Sequence, residues 1–260
     1  MSFSLDMGLL AVTVALIIRF LVLTATLPLL DMQSVPPLWR VALAVCLGLA
    51  LAPGVAARLG PLDVAWSWPV LVTEVLRSLV LGAMLGFTVN LMFAAVKMAG
   101  SIAGMQIGFS IVNAFDPLSN SQISVLSRIY HLLTVLIFFV SGAHLILIQA
   151  MFQSCVVVPP FAGLDAPAGA WYLVREFGTV FSIGLRIAAP VVLILLLVSS
   201  AMGVVVKTVP QLNILAVGFP VKIAVGLLVF GVSLVYFRDI VLGMMAGMGD
   251  RLGEVLLALS

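Results

Sequence analysis

Charge is what this chain has least of: only 8% of its 260 residues are Asp, Glu, Lys or Arg. Water-soluble domains carry roughly a quarter charged residues, so this surface cannot stay dispersed in water. The twelve Lys and Arg residues are scattered singly and the net charge is +2, which leaves nucleic acid and polybasic lipid recognition without support. Cysteine is equally sparse. Cys46 and Cys155 each stand alone in an apolar run, with no CxxC and no metal-ligand neighbour, and both read as small buried hydrophobes. Of the two histidines, His131 and His144 lie 13 residues apart. On one continuous helix they are about 20 Å apart and point roughly 140° from each other, so they cannot share a haem. With no nucleophile constellation, phosphate loop or metal motif either, the chain reads as a non-enzyme without cofactor or metal.

Apolar residues fill the space that charge leaves. Hydrophobic residues make up 63% of the chain, and the mean hydropathy is +1.32. Several runs approach or exceed the ~20 apolar residues that cross a hydrocarbon core. In lipid the backbone must satisfy its own hydrogen bonds, which leaves helices or closed barrels. The runs are far longer than ~10-residue barrel strands and lack alternation, so an all-α fold follows. Six segments can be drawn, at 7–30, 41–57, 70–96, 129–158, 177–206 and 213–237. The first follows Asp6 and is too long for a signal-peptide core, so it is expected to remain as a helix. Pro53-Gly54 marks the second as broken or tilted, and Pro28, Pro190 and Pro220 interrupt or end others. Residues 238–260 read as an amphipathic helix.

Three connectors remain: 31–40 with Pro36-Pro37, the Pro/Gly/Ala loop 159–170, and 97–128. The last is long, Gly- and Ser-bearing, and carries Ile102, Ile107, Phe109, Ile111 and Phe115. Long irregular connectors are usually functional or disordered, and this apolar content argues against disorder. With six spans the cations divide four against four: Arg58, Arg175, Arg238 and Arg251 face Arg40, Lys97, Arg128 and Lys207. The positive-inside rule therefore gives no orientation.

Arg19, Glu74, Arg77, Arg186 and Lys222 lie inside apolar segments, where a charge must face protein or water. Glu74 and Arg77, at i, i+3, share a helix face. No segment holds two acids at helical spacing, so inter-helix or inter-subunit ion pairs fit better than a proton path. Gly82/Gly86, Gly100/Gly104/Gly108 and Gly243/Gly247 are small-xxx-small faces that admit close helix approach. Met84, Met92, Met98 and Met105 fall roughly on one broad face, as core filler or as a soft constriction.

Five stretches carry a resemblance: SVPPLWRVALA at 34–44, LGFTVNLMFAAVKMAGSIAGMQIGFSIVNAFDP at 85–117, VLSRIYHLL at 125–133, SGAHLILIQAMFQSCVVVP at 141–159 and TVPQLNILAVGFPVKI at 208–223. In order, spacing and length they are similar to the FliR family, flagellar type III export-gate membrane proteins related to the SctT-type proteins of injectisomes. Ser101 departs from the acidic or amide residue that family members often carry after Ala-Gly. The resemblance implies hydrophobic helical hairpins with broken helices, forming one subunit of a helical pore complex with FliP-like and FliQ-like partners beside FlhA-like and FlhB-like proteins. It implies a FliP-like part at 1–165 and a FliQ-like hairpin at 166–260, ending in an amphipathic helix. It implies a site in the bacterial inner membrane, within the flagellar basal body, where unfolded proteins pass. It further implies that Gly104, Met105, Gln106, Ile107, Gly108, Phe109, Ser110, Asn113, Phe115, Asp116 and Pro117 form a plug in the pore. A secondary transporter of a small substrate also fits broken helices, but such carriers favour internal repeats, and no convincing repeat is visible.

Overall fold

The computed structural model describes residues 7–27, 36–60, 67–108, 124–209 and 214–260. Every element among them is an α-helix: α1 (Met7–Thr26), α2 (Pro37–Leu59), α3 (Trp68–Ile107), α4 (Val125–Val140), α5 (Ala143–Val157), α6 (Ala166–Thr208), α7 (Ile214–Ala246) and α8 (Met248–Leu259). Local chemistry sets several boundaries. Helix α1 stops just before the Leu27-Pro28 step, where proline disfavours the helical region for the preceding residue. Helix α2 opens with Pro37, whose missing N–H costs nothing at a first turn, and closes on Gly60 at φ +72°.

Besides α2 and α6, which begin at Pro37 and Ala166 inside the expected connectors 31–40 and 159–170, four features differ from the sequence reading. Helix α2 runs unbroken through Pro53, because one freed carbonyl does not stop a helix held by packing on both sides. The 97–128 connector is shorter than expected, since α3 continues to Ile107 and α4 begins at Val125. Gly100 and Gly104 there are helical and pack, so the helix ends only beyond them, at Gly108. The run 129–158 is two helices bent by 68°, with Gly142 in the left-handed region at φ +74°. Residues 238–260 divide as well: α7 continues to Ala246, and only α8 is the amphipathic piece.

Helices α3 and α6 have 40 and 43 residues. At 1.5 Å per residue their contours are roughly 60 and 65 Å, about twice a hydrocarbon core. Neither can be a simple bilayer crossing over its whole length.

The chain divides into two compact units. The first comprises Met1–Leu91, Gly142–Phe177 and Met245–Ser260. There α1 packs on α2 and α5, and α5 on α2 and α8. Its core gathers Val12, Leu16 and Phe20 with Leu81, Leu85, Met151, Leu252 and Leu256. Arg58 lies 5.3 Å from the Phe152 ring centre, a cation–π contact joining α2 to α5. Cys46 is exposed on α2, not buried as its apolar surroundings suggested, whereas Cys155 is buried.

The second unit comprises Met92–Ser141 and Gly178–Met244. Its core is aromatic: Tyr130 stacks on Phe237 at 4.4 Å between ring centres, and Phe93 meets Phe138 edge-on at 5.9 Å. Phe93 also meets His131 edge-on at 5.8 Å. Because the helix breaks between His131 and His144, the single-helix geometry used above against a shared haem does not apply. Among the described residues no cluster of potential metal ligands occurs.

Candidate functional site

Three of the five charges inside apolar segments converge in the first unit. Glu74 accepts from Arg77 at 3.3 Å and faces Arg19 at 3.8 Å. Its two oxygens also take the Ser78 hydroxyl at 3.1 Å and the Phe161 backbone N–H at 2.7 Å. Arg19, fully buried, donates further to Ser154 Oγ at 3.0 Å, Cys155 Sγ at 3.1 Å and the Val158 carbonyl at 3.3 Å. Arg77 donates to the Pro159 carbonyl at 2.7 Å. Two guanidiniums share one carboxylate, so the cluster carries one net positive charge spread over neutral acceptors.

The chemistry of this cluster is structural. Burying a charge is tolerated only when nearly every donor and acceptor is matched. Here the matching ties α1, α3 and α5 to the loop after α5. It holds Phe161 at φ +69°, a conformation L side chains rarely adopt. The loop is fixed at its far end too. Asp165 N–H donates to the Leu259 carbonyl at 3.2 Å, and the Asp165 carboxylate accepts from Ala168 N–H at 3.0 Å, capping α6. Nearby, Arg251 of α8 pairs with Glu176 of α6 at 2.9 Å.

The other two charges lie in the second unit. Arg186 is exposed and donates to the Tyr236 hydroxyl at 3.3 Å. Lys222 is half-buried on α7.

The glycine face of α3 is used along its length. A Cβ at Gly82 would stand 2.7 Å from the Arg19 carbonyl oxygen, and one at Gly86 would strike Thr26. In the second unit a Cβ at Gly100 would strike the Ser127 backbone, and one at Gly104 the Ser124 hydroxyl. The Ser127 hydroxyl donates to the Lys97 carbonyl at 2.9 Å, so the last turns of α3 and the first turn of α4 are sealed together. Among the described residues nothing lies within 4 Å of a Cβ at Gly243, so that glycine is not a close contact point.

The sealing fixes where the expected plug is rooted. Gly104, Met105, Gln106 and Ile107 are helical, the end of α3. Gly108 leaves the helix at φ +105°, and the chain is described again at Ser124, beside Gly104. Phe109, Ser110, Asn113, Phe115, Asp116 and Pro117 lie outside the described residues. Gly226 of α7 abuts Ile107, and Phe219 lies within 3.4 Å of a Cβ at Gly108. Residues from three of the five stretches quoted above (85–117, 125–133 and 208–223) thus meet at one place. The methionines of α3 differ in burial: Met84 and Met92 are buried, whereas Met105 is 58% exposed.

Sequence reasoning missed the acceptors of Arg19 and Arg77, because Ser154, Cys155, Val158 and Pro159 lie more than 75 positions away in the chain. Ser78 was within reach of it, four residues after Glu74 on the same helix face.

Comparison with known proteins finds similarity along most of the chain. A family model described as bacterial export proteins, family 1, matches residues 10–248. The chain is 33% identical over 212 residues to the flagellar biosynthetic protein FliR of Escherichia coli (strain K12), covering 81% of this chain and 79% of that one. It is 29% identical over 244 residues to the flagellar biosynthetic protein FliR of Pectobacterium carotovorum subsp. carotovorum, covering 94% and 92%. Similarity extends to the Yop proteins translocation protein T of Yersinia pestis, 27% identical over 151 residues, covering 57% and 58%.

Proposed function

Because the chain belongs to the FliR family of bacterial export proteins, we propose that it is a pore-forming subunit of the flagellar type III protein-export gate, passing unfolded flagellar proteins across the bacterial inner membrane. Its partners are FliP-like and FliQ-like membrane subunits, with FlhA-like and FlhB-like proteins nearby in the flagellar basal body. Residues 1–165 take the FliP-like part, and 166–260 supply a FliQ-like hairpin ending in the amphipathic α8. Lys222, which lacks a hydrogen-bond or ion-pair partner among the described residues, meets a carboxylate on a neighbouring subunit.

The observation that carries the reading is the sealed root of 109–123. A gate for an unfolded chain must be wide when open and ion-tight when closed. Apolar constrictions achieve the closed state by dewetting. A plug must move while its attachment stays fixed. Gly100 and Gly104 against α4, with Ile107 against Gly226, give a rigid root, and Gly108 in the left-handed region gives a pivot. Beyond it Phe109, Asn113, Phe115, Asp116 and Pro117 form the plug, with the two phenylalanines as its dry part.

Two measurements test this. Tagged chain purified in mild detergent should arrive as one heteromeric mass with FliP-like and FliQ-like subunits; a lone chain or symmetric homodimer would point to a carrier instead. Replacing Phe109 and Phe115 together with Ala should raise ion leak through vesicles holding that complex while leaving assembly intact. Unchanged conductance in an assembled double variant would remove the plug from the proposal.

A further inference from the structure

We propose that the outward face of α4, with Lys97 of α3 beside it, docks an apolar helix of a neighbouring subunit that presents a carboxylate to Arg128 and Lys97. The proposal rests on the reading that the chain works inside a heteromeric complex, and it names one place where a partner holds on. Charge is divided unevenly between the two compact units. In the first, Arg19 and Arg77 share Glu74, Arg251 pairs with Glu176, and Arg58 lies over the Phe152 ring. In the second, the described cations are Lys97, Arg128, Arg186, Lys207, Lys222 and Arg238, and Asp239 is the only described acid. That acid is taken by Arg238 at 2.9 Å. Among the described residues the side chains of Lys97 and Arg128 have neither a hydrogen-bond nor an ion-pair partner. One turn on from Lys97, where an acid could reach it along the helix, stands Ser101.

The two cations start from neighbouring backbone positions. The Ser127 hydroxyl donates to the Lys97 carbonyl at 2.9 Å, and a Cβ at Gly100 would strike the Ser127 backbone. Arg128 is the next residue, and it is exposed. Two helices sealed backbone to backbone therefore carry one ammonium and one guanidinium at adjoining levels.

Around Arg128 the face is apolar. Helix α4 buries Leu126, Tyr130, Thr134 and Phe138. It leaves Val125, Ile129, Leu132, Leu136 and Phe139 exposed. Those five follow helical spacing and form one stripe, a surface on which a second helix can pack. Arg128 lies on its edge, one turn before Leu132. The helix has 16 residues, which rise about 24 Å, short of a ~30 Å hydrocarbon core. A lipid crossing does not match that length, whereas a protein helix covers a stripe of any length. Covering the stripe takes water from Arg128, and a cation without water needs a carboxylate. The occupant is therefore a helix with an apolar face and one Asp or Glu at the level of Arg128. A carboxylate there takes paired hydrogen bonds from the guanidinium and attracts the Lys97 ammonium.

The test uses the complex purified in mild detergent on the tagged full-length chain. Arg128→Gln should lower at least one co-purifying subunit by roughly tenfold or more, because truncating one side of a covered charge pair weakens binding at least that much. Arg128→Lys should keep most of it, and the lone Arg128→Gln chain should melt at the wild-type temperature. In the Arg128→Lys complex a carbodiimide, which condenses an amine with a carboxylate into an amide, should link position 128 to an Asp or Glu of a partner, as peptide mass spectrometry reads. A link to an acid of this same chain, or a lone chain destabilised by Arg128→Gln, would put the counter-charge inside the chain and overturn the docking site. Undiminished subunits in Arg128→Gln would overturn it while leaving heteromeric assembly standing. Loss of bound phosphatidylglycerol with every subunit retained would overturn it in favour of a lipid headgroup. Wild-type chain recovered alone would remove the reading on which it rests, and the docking site with it.

Discussion

Glu74 is the residue on which the buried charge cluster depends. Among the described residues it is the only carboxylate facing Arg19 and Arg77, and it also receives the Phe161 N–H. Glu74→Gln keeps the shape and an acceptor but leaves two buried cations without a counter-charge. Removing one partner from a buried pair costs about 3–5 kcal/mol. Thermal unfolding in detergent micelles should therefore show a large loss of stability. Ser78→Ala, which removes one neutral hydrogen bond, should cost about 1 kcal/mol. Equal losses in the two variants would mean that shape, not charge, holds the cluster. The i, i+3 spacing of Glu74 and Arg77 was visible in the sequence, whereas Arg19 joined them only when α1 lay against α3.

At the level of elements, helix α3 is held by glycine contacts as well as by core side chains such as Leu81, Leu85 and Phe93. A Cβ at Gly82 or Gly100 meets backbone, which cannot swing aside as a side-chain end can. Gly82→Val and Gly100→Val should both abolish folded, monodisperse protein, as read by size-exclusion chromatography in detergent. Gly243→Ala is the matched control: no described residue lies within 4 Å of a Cβ there, and alanine favours helix by up to ~1 kcal/mol. That variant should be neutral or more stable. All three positions belong to the same spacing motif, so the motif alone could not rank them. The ranking needs the partner helix, which is present at Gly82 and Gly100 and lacking at Gly243 among the described residues.

For the molecule as a whole, the dominant feature is apolar surface left uncovered within each unit. Leu38, Trp39 and Trp68 are exposed in the first, and Leu197, Leu228 and Val232 in the second. Such surface must face lipid, detergent or another chain. The chain expressed alone should therefore carry more bound detergent per protein mass than the same chain within its complex, as light scattering with refractive index can measure. Equal detergent per chain would mean that assembly covers none of this surface.

Composition alone decided that the chain is helical and belongs with lipid, because lipid leaves an unpaired backbone few options. Local chemistry explains why α2 runs from Pro37 to a cap at Gly60, although the apolar run by itself marked only 41–57. The sequence reading misjudged 97–128, since a Gly-Ser-rich apolar stretch reads as irregular until a neighbouring helix shows that the glycines are contact points. It treated 129–158 as one segment, because Ser141-Gly142 is a weak break until the chain turns there. Only the tertiary structure assembled the Arg19–Glu74–Arg77 cluster and rooted both ends of 109–123 side by side. The physical reason is the same in each case. Helix content and membrane affinity are sums over neighbouring residues, whereas a buried ion cluster and a sealed loop root are matches between helices far apart in the chain.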